Sequence, residues 1–151
     1  MKQSQCRMSR QRFVLISILF CSIGSYAIDL PRNEVLTKLF EEAQAAYDTG
    51  DFKTSITAAQ DAFSWAKVNG NQSSMGLALQ TEALALLALP KKQKSNRKKA
   101  VAKLEASLVL LNTTSDRSVR IKSLNLLAEL ATQSGDLTEA SYYVKQIDLL
   151  E

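Results

Sequence analysis

The chain has 151 residues, enough for one modest domain, with 19 basic and 15 acidic side chains. It contains no histidine, and its two cysteines, Cys6 and Cys21, lie in the first 27 residues, which we expect to be removed. This composition excludes Ser-His-Asp and Cys-His catalysis and an ordinary zinc site in the mature chain. We therefore expect no enzymatic activity, no metal, no cofactor and no stabilising disulfide.

Residues 1–27 have the three-part pattern of a secretory signal peptide. An apolar run at 13–23 is too short to span a bilayer. Ser25 and Ala27 place small residues at the −3 and −1 positions of a cleavage site. We predict cleavage after Ala27 and a periplasmic or secreted protein; the alternative is an uncleaved N-terminal anchor helix. The run is preceded by four basic residues and no acidic one: Lys2, Arg7, Arg10 and Arg12.

The excess of basic over acidic residues in the chain comes entirely from the predicted signal peptide. Four of the 19 basic residues and none of the 15 acidic residues lie in residues 1–27, so residues 28–151 carry 15 of each. The net charge is therefore no argument for binding nucleic acid or a membrane surface. We expect no nucleic-acid partner and contact with a membrane only during export.

Residues 28–151 predict an all-α fold, because strong helix formers dominate and no stretch alternates as a half-buried strand does. Asn33 can cap a first helix that runs to about Asp48. Gly50 suits the left-handed residue after that helix, and Asp51 can cap the second.

The third predicted helix differs from the others in being apolar on almost every side. It begins at Ser73 or Ser74 and ends at Leu89, since the residue before Pro90 is disfavoured in a helix. A helix that is apolar all round is buried all round. We therefore expect it at the centre of the domain, with neighbours on both flanks.

Three more helices are predicted after a basic loop at 91–96. Asn96 can cap the fourth helix and Asp116 the fifth. Asp136 and Glu139 have the spacing of a capping box at the start of the sixth. The six helices form three predicted hairpins, at about 33–69, 73–112 and 116–150.

The same turn motif, glycine-aspartate followed by an apolar residue, occurs in the first and in the last predicted hairpin. Gly50-Asp51-Phe52 and Gly135-Asp136-Leu137 lie 85 residues apart, close to two periods of a repeat. Over about residues 34–150 the chain resembles a tetratricopeptide repeat (TPR) protein of the longer, kinesin light chain type. Ser55 departs from the usual alanine of that family. Small residues stand where its paired helices cross: Ala43, Ala62, Ala128 and Ala140.

The resemblance implies a short right-handed solenoid of stacked antiparallel hairpins that binds a peptide or protein in a groove. We thus expect an exported, non-catalytic interaction module. The alternative is the extracytoplasmic sensor portion of a larger signalling enzyme; a small hydrolase is least favoured. The groove positions carried over from the family are Phe40, Gln44, Tyr47, Asn125, Glu129 and Thr132.

Two surface features have competing interpretations. A basic run can bind an acidic partner, or it can be a solvated loop and helix start, which we favour. The sixth helix has more apolar residues than one packing face needs, which suggests a homodimer through that helix or, alternatively, packing of the helix against downstream sequence. The basic run comprises Lys91, Lys92, Lys94, Arg97, Lys98 and Lys99.

The first prediction concerns export. We expect N-terminal sequencing of the exported protein to begin at Ile28, because small residues at the −3 and −1 positions precede it. Membrane-bound protein that retains Met1 would show that the apolar run is an anchor instead.

Overall fold

A computed structural model describes residues 34–90, 93–114 and 116–150 of the chain. These residues belong to one compact unit that spans 32–151. The predicted signal segment and cleavage site lie outside the described residues, as do Asn33, Lys91 and Lys92.

The described residues form six α-helices and no strand, which confirms the all-α prediction. None of these helices is both long enough and apolar enough to cross a membrane. In chain order they are α1 Glu34–Asp48, α2 Phe52–Val68, α3 Gln72–Ala88, α4 Gln93–Leu111, α5 Arg117–Ser134 and α6 Leu137–Asp148.

Each helix packs against the next one along the chain. Helix α3 also contacts α1 and α5. Three of the connections share one turn, in which a glycine with positive φ follows the helix: Gly50, Gly70 and Gly135. At each of these connections, the backbone amide of the residue after the glycine donates a hydrogen bond to a carbonyl near the end of the preceding helix. The Asp136 amide, for example, donates to the Ala131 carbonyl. These tight turns return the chain as hairpins.

Two of the predicted aspartate caps are formed as expected. The Asp51 carboxylate accepts from the backbone amide of Thr54, and the Asp136 carboxylate accepts from that of Glu139. Hydrogen bonds from the Thr54 side chain and backbone hold the pKa of Asp51 below its usual value. Asp116 occupies the cap position of α5 without making a side-chain cap bond.

Two predicted helix starts are wrong. Helix α3 begins at Gln72, and its cap is Asn71, whose side chain accepts from the Ser74 amide; Ser73 and Ser74 are inside the helix. Helix α4 begins at Gln93, so Asn96 lies within it and is buried. The lysines and arginine around Asn96 favour helix, so part of the expected basic loop is the first turns of α4.

Helix α3 lies at the centre of the domain, as its sequence predicts. Every residue from Ser74 to Leu86 is buried except Met75, which is half-buried. Alanines allow the neighbouring helices to approach closely, since several of them have no exposed surface at all: Ala59, Ala62, Ala66, Ala78, Ala83 and Ala85. Ser55, where the repeat family usually has alanine, is also fully buried.

Helix α3 approaches α4 closely at Gly76. A Cβ atom at this position would lie 2.6 Å from Cγ of Leu111, whose side chain is fully buried at the end of α4. The Gly76 carbonyl also accepts a hydrogen bond of 2.8 Å from the Ser107 hydroxyl. A glycine is therefore required here by space, although it is unfavourable in a helix.

The second prediction concerns this approach. In a helix, Gly76→Ala gains about 1 kcal/mol of intrinsic propensity, but overpacking against Leu111 costs about 1–3 kcal/mol. We expect a net loss in the free energy of unfolding, measured by urea denaturation. A double-mutant cycle with Leu111→Ala is the control, because the smaller side chain removes the clash. An additive cycle would contradict the proposed clash.

Candidate functional site

The predicted groove residues of α1 differ in exposure. Phe40 and Gln44 are half-buried, whereas Tyr47 is buried. The Tyr47 ring packs edge-on against Phe52 with ring centroids 5.4 Å apart. Burial, and secondarily the charge of Asp48, raises the pKa of Tyr47 to about 12. Tyr47 is therefore part of the packing between α1 and α2, and Phe40 and Gln44 are the more accessible groove candidates on α1.

The predicted groove residues of α5 form an exposed polar row. Asn125, Glu129 and Thr132 are all exposed and lie on one face at i, i+4, i+7 spacing. The Glu129 carboxylate accepts from the side-chain amide of Gln133 at 3.0 Å, and the Thr132 hydroxyl donates to the Ala128 carbonyl at 2.8 Å. The Asn125 amide and the Glu129 carboxylate are thus the main groups of this row that a partner could reach.

Helix α3 separates the two sets of groove candidates without adding to them. It contacts both α1 and α5, but no residue from Ser74 to Leu86 is exposed. The α1 and α5 candidates are therefore not joined by exposed side chains from the middle of α3. The repeat resemblance did not indicate this difference, which arises because the middle helix is apolar on every side.

The basic run divides into inward and outward side chains. The Arg97 guanidinium donates a hydrogen bond to the Leu130 carbonyl, so Arg97 holds the start of α4 against α5. The side chains of Lys94, Lys98 and Lys99 are exposed. Of the predicted acidic-partner patch, these three lysines are the described residues that present charge to solvent.

A buried ion pair joins α3 to α4, and the sequence analysis did not identify it. Glu82 is 4% exposed, and its carboxylate lies 2.8 Å from the ammonium of Lys103. The same carboxylate accepts a 2.8 Å hydrogen bond from the Gln60 amide of α2. An acidic residue within an apolar helix was the available signal, because a buried charge requires a partner.

A second polar contact joins α3 to α4 and α5. The side-chain amide of Gln80, 2% exposed, donates to the Ser123 hydroxyl at 3.3 Å, and this hydroxyl lies 3.4 Å from that of Ser107. Together with the Glu82 contacts, these bonds connect α3 to α2, α4 and α5. The buried polar groups therefore serve helix packing rather than an open site.

A small pocket lies among α4, α5 and α6. Its polar side chains are those of Arg97, Ser134, Glu139 and Tyr143, and its volume is about 50 Å³. Burial and a hydrogen bond to Glu139 raise the pKa of Tyr143, which keeps its hydroxyl neutral. Typical small-molecule sites occupy roughly 300–1,000 Å³, so this pocket is much smaller than such a site. Among the described residues, no group of acidic side chains has the arrangement of a metal site.

Helix α6 buries one side and exposes apolar residues elsewhere. Ala140, Tyr143 and Ile147 are buried on one face, and α6 packs against α5. The apolar residues predicted to exceed one packing face are indeed exposed at four positions: Leu137, Tyr142, Val144 and Leu149.

Comparison with protein-family models, with curated proteins and with solved structures found no match to this chain. The assignment of function therefore depends on the residues and geometry described above.

The third prediction concerns the buried ion pair. Lys103→Met leaves the buried Glu82 carboxylate without its counter-charge and should destabilise the fold by about 1–3 kcal/mol. Glu82→Gln should cost less, because the Lys103 side chain is 37% exposed and can turn towards water. The free energy of unfolding of both variants is measured by chemical denaturation.

Lys99→Met, at an exposed position of the same helix, is the control, and its free energy of unfolding should stay within about 0.5 kcal/mol of that of the unmodified protein. Equal losses in the two Lys→Met variants would contradict a structural ion pair.

Proposed function

We propose that the protein is an exported, non-catalytic interaction module that binds a peptide or protein partner through α5, with Phe40 and Gln44 of α1 as a second contact. The observation that carries this proposal is the exposed row Asn125, Glu129 and Thr132. The TPR-like solenoid remains part of the proposal; consecutive helical hairpins and buried alanines at the expected crossings support it.

The chemistry of the row specifies the kind of partner. Asn125 can both donate and accept hydrogen bonds, as a peptide group requires. Glu129 adds a negative charge, and the Thr132 hydroxyl oxygen can still accept a hydrogen bond while it donates to Ala128. The row therefore offers mainly acceptors and suits a segment with free backbone amides and a lysine or arginine. The apolar face of Phe40 would add a contact for an apolar side chain.

The fourth prediction tests this surface in cells of the native host. A photo-crosslinking amino acid in place of Asn125 should form an adduct with a partner protein after export. The same amino acid in place of Ala106, which is exposed on α4, is the control and should not form that adduct.

The identified partner then allows a quantitative test. Glu129→Lys should weaken its binding about tenfold, equivalent to about 1.4 kcal/mol, in titration calorimetry. Lys53→Glu, at an exposed position of α2, should leave the affinity unchanged. The proposal fails if positions 125 and 106 give the same adducts, or if Glu129→Lys binds normally.

A further inference from the structure

The exposed faces of α1 and α4 carry opposite charge. On α1 the exposed charged residues are Glu34, Lys38, Glu41, Glu42 and Asp48. On α4 they are Lys94, Lys98, Lys99 and Glu105. The first face is therefore acidic overall and the second is basic. The other two cations of α4 are engaged elsewhere, since Arg97 bonds to Leu130 and Lys103 pairs with Glu82.

The order of these charges along the two helices is complementary in one direction. Consider the two helices antiparallel, with Glu41 and Glu42 opposite Lys98 and Lys99. At a rise of 1.5 Å per residue, Asp48 then lies about 3 Å along the helix axis from Lys94. Lys38 then falls about 4.5 Å along the axis from Glu105. The eight residues placed in this way each meet an opposite charge; Glu34, which falls near Glu105, is the one exposed charged residue of these faces that does not.

The parallel arrangement does not have this property. With Glu41 opposite Lys98 in a parallel pair, Asp48 lies opposite Glu105 and Lys38 lies beside Lys94. Both are contacts between like charges, which oppose association.

The charges also match across the width of the two faces. At about 100° per residue, Glu41 and Asp48 lie on one edge of α1 and Glu42 on the other. Lys94 and Lys98 likewise lie on one edge of α4 and Lys99 on the other. Between these edges are small exposed side chains, Ala45 on α1 and Ala102 on α4, which allow the helices to approach.

We infer that α4 of one copy of this protein binds α1 of a second copy, antiparallel, through the acid–lysine pairs described above. The charge complementarity between these faces selects a second copy as the occupant. The contact uses neither the α5 row nor α6, so it is independent of the proposed partner binding. Because exposed ion pairs each contribute little and association costs translational freedom, the contact is weak and depends on salt.

Sedimentation velocity over a series of protein concentrations tests the inference, with protein produced from the full-length chain. The unmodified protein should self-associate in about 20 mM NaCl, and its association constant should fall at least tenfold in about 500 mM NaCl, because salt screens exposed charges.

Two charge-reversed variants should each remain monomeric alone. One carries Glu41→Lys and Glu42→Lys, so that both of its faces are basic; the other carries Lys98→Glu and Lys99→Glu, so that both are acidic. An equal mixture of the two should associate again, because the reversed faces are complementary. All four positions are exposed, so the fold should be preserved, and unfolded chains could not give this specific recovery.

Three results would overturn the inference. They are a monomer at every concentration in low salt, self-association that is unchanged in either variant, and variants whose mixture does not associate. Self-association that is unchanged in either charge-reversed variant would point instead to apolar contact through α6, and Leu149→Glu would then abolish association.

Discussion

The burial of α3 on all sides is the constraint on which the rest of the structure depends. A helix with apolar residues on every face cannot remain on a surface, so it requires neighbours all round. Helices α2 and α4 provide the closest ones, and α1 and α5 complete the enclosure. Within this helix Gln80 donates to Ser123 of α5, and Glu82 bonds to Gln60 of α2 and Lys103 of α4.

Close packing around α3 depends on small residues as much as on large ones. Gly76 allows Leu111 to fill the space above it, and fully buried alanines bring α2 and α3 together. Contacts of this kind are intolerant of added volume. The buried polar bonds of Gln80 and Glu82 can form only when the helices are in register, because a displaced helix would leave a charge or an amide without a partner. Small residues thus set the distances, and polar residues set the alignment.

Because α3 occupies the centre, the surfaces available for recognition belong to the other helices. The exposed polar row is on α5, the acidic face on α1, the lysines on α4 and the exposed apolar residues on α6. Each surface differs in chemistry, so each would select a different kind of contact. The proposed peptide binding and the proposed contact between copies can therefore occur on separate parts of the same small domain.

The sequence by itself determined the helices, the hairpin turns and the central place of α3. These features follow from local causes: helix propensity, glycines at positive φ after a helix, aspartate caps and an uninterrupted apolar run. Helix starts at Asn71 and Gln93 were less well predicted, because several neighbouring polar residues could each begin a helix.

Only the tertiary structure decided which side chains of a helix meet another helix. It paired Arg97 with α5 and Lys103 with α3 and left Lys94, Lys98 and Lys99 exposed, although all five belong to α4. It also buried Tyr47 and left Thr132 exposed, at equivalent positions of the predicted repeat. The physical reason is that exposure depends on the neighbouring helices, whose distance and rotation arise from contacts between residues far apart in the chain.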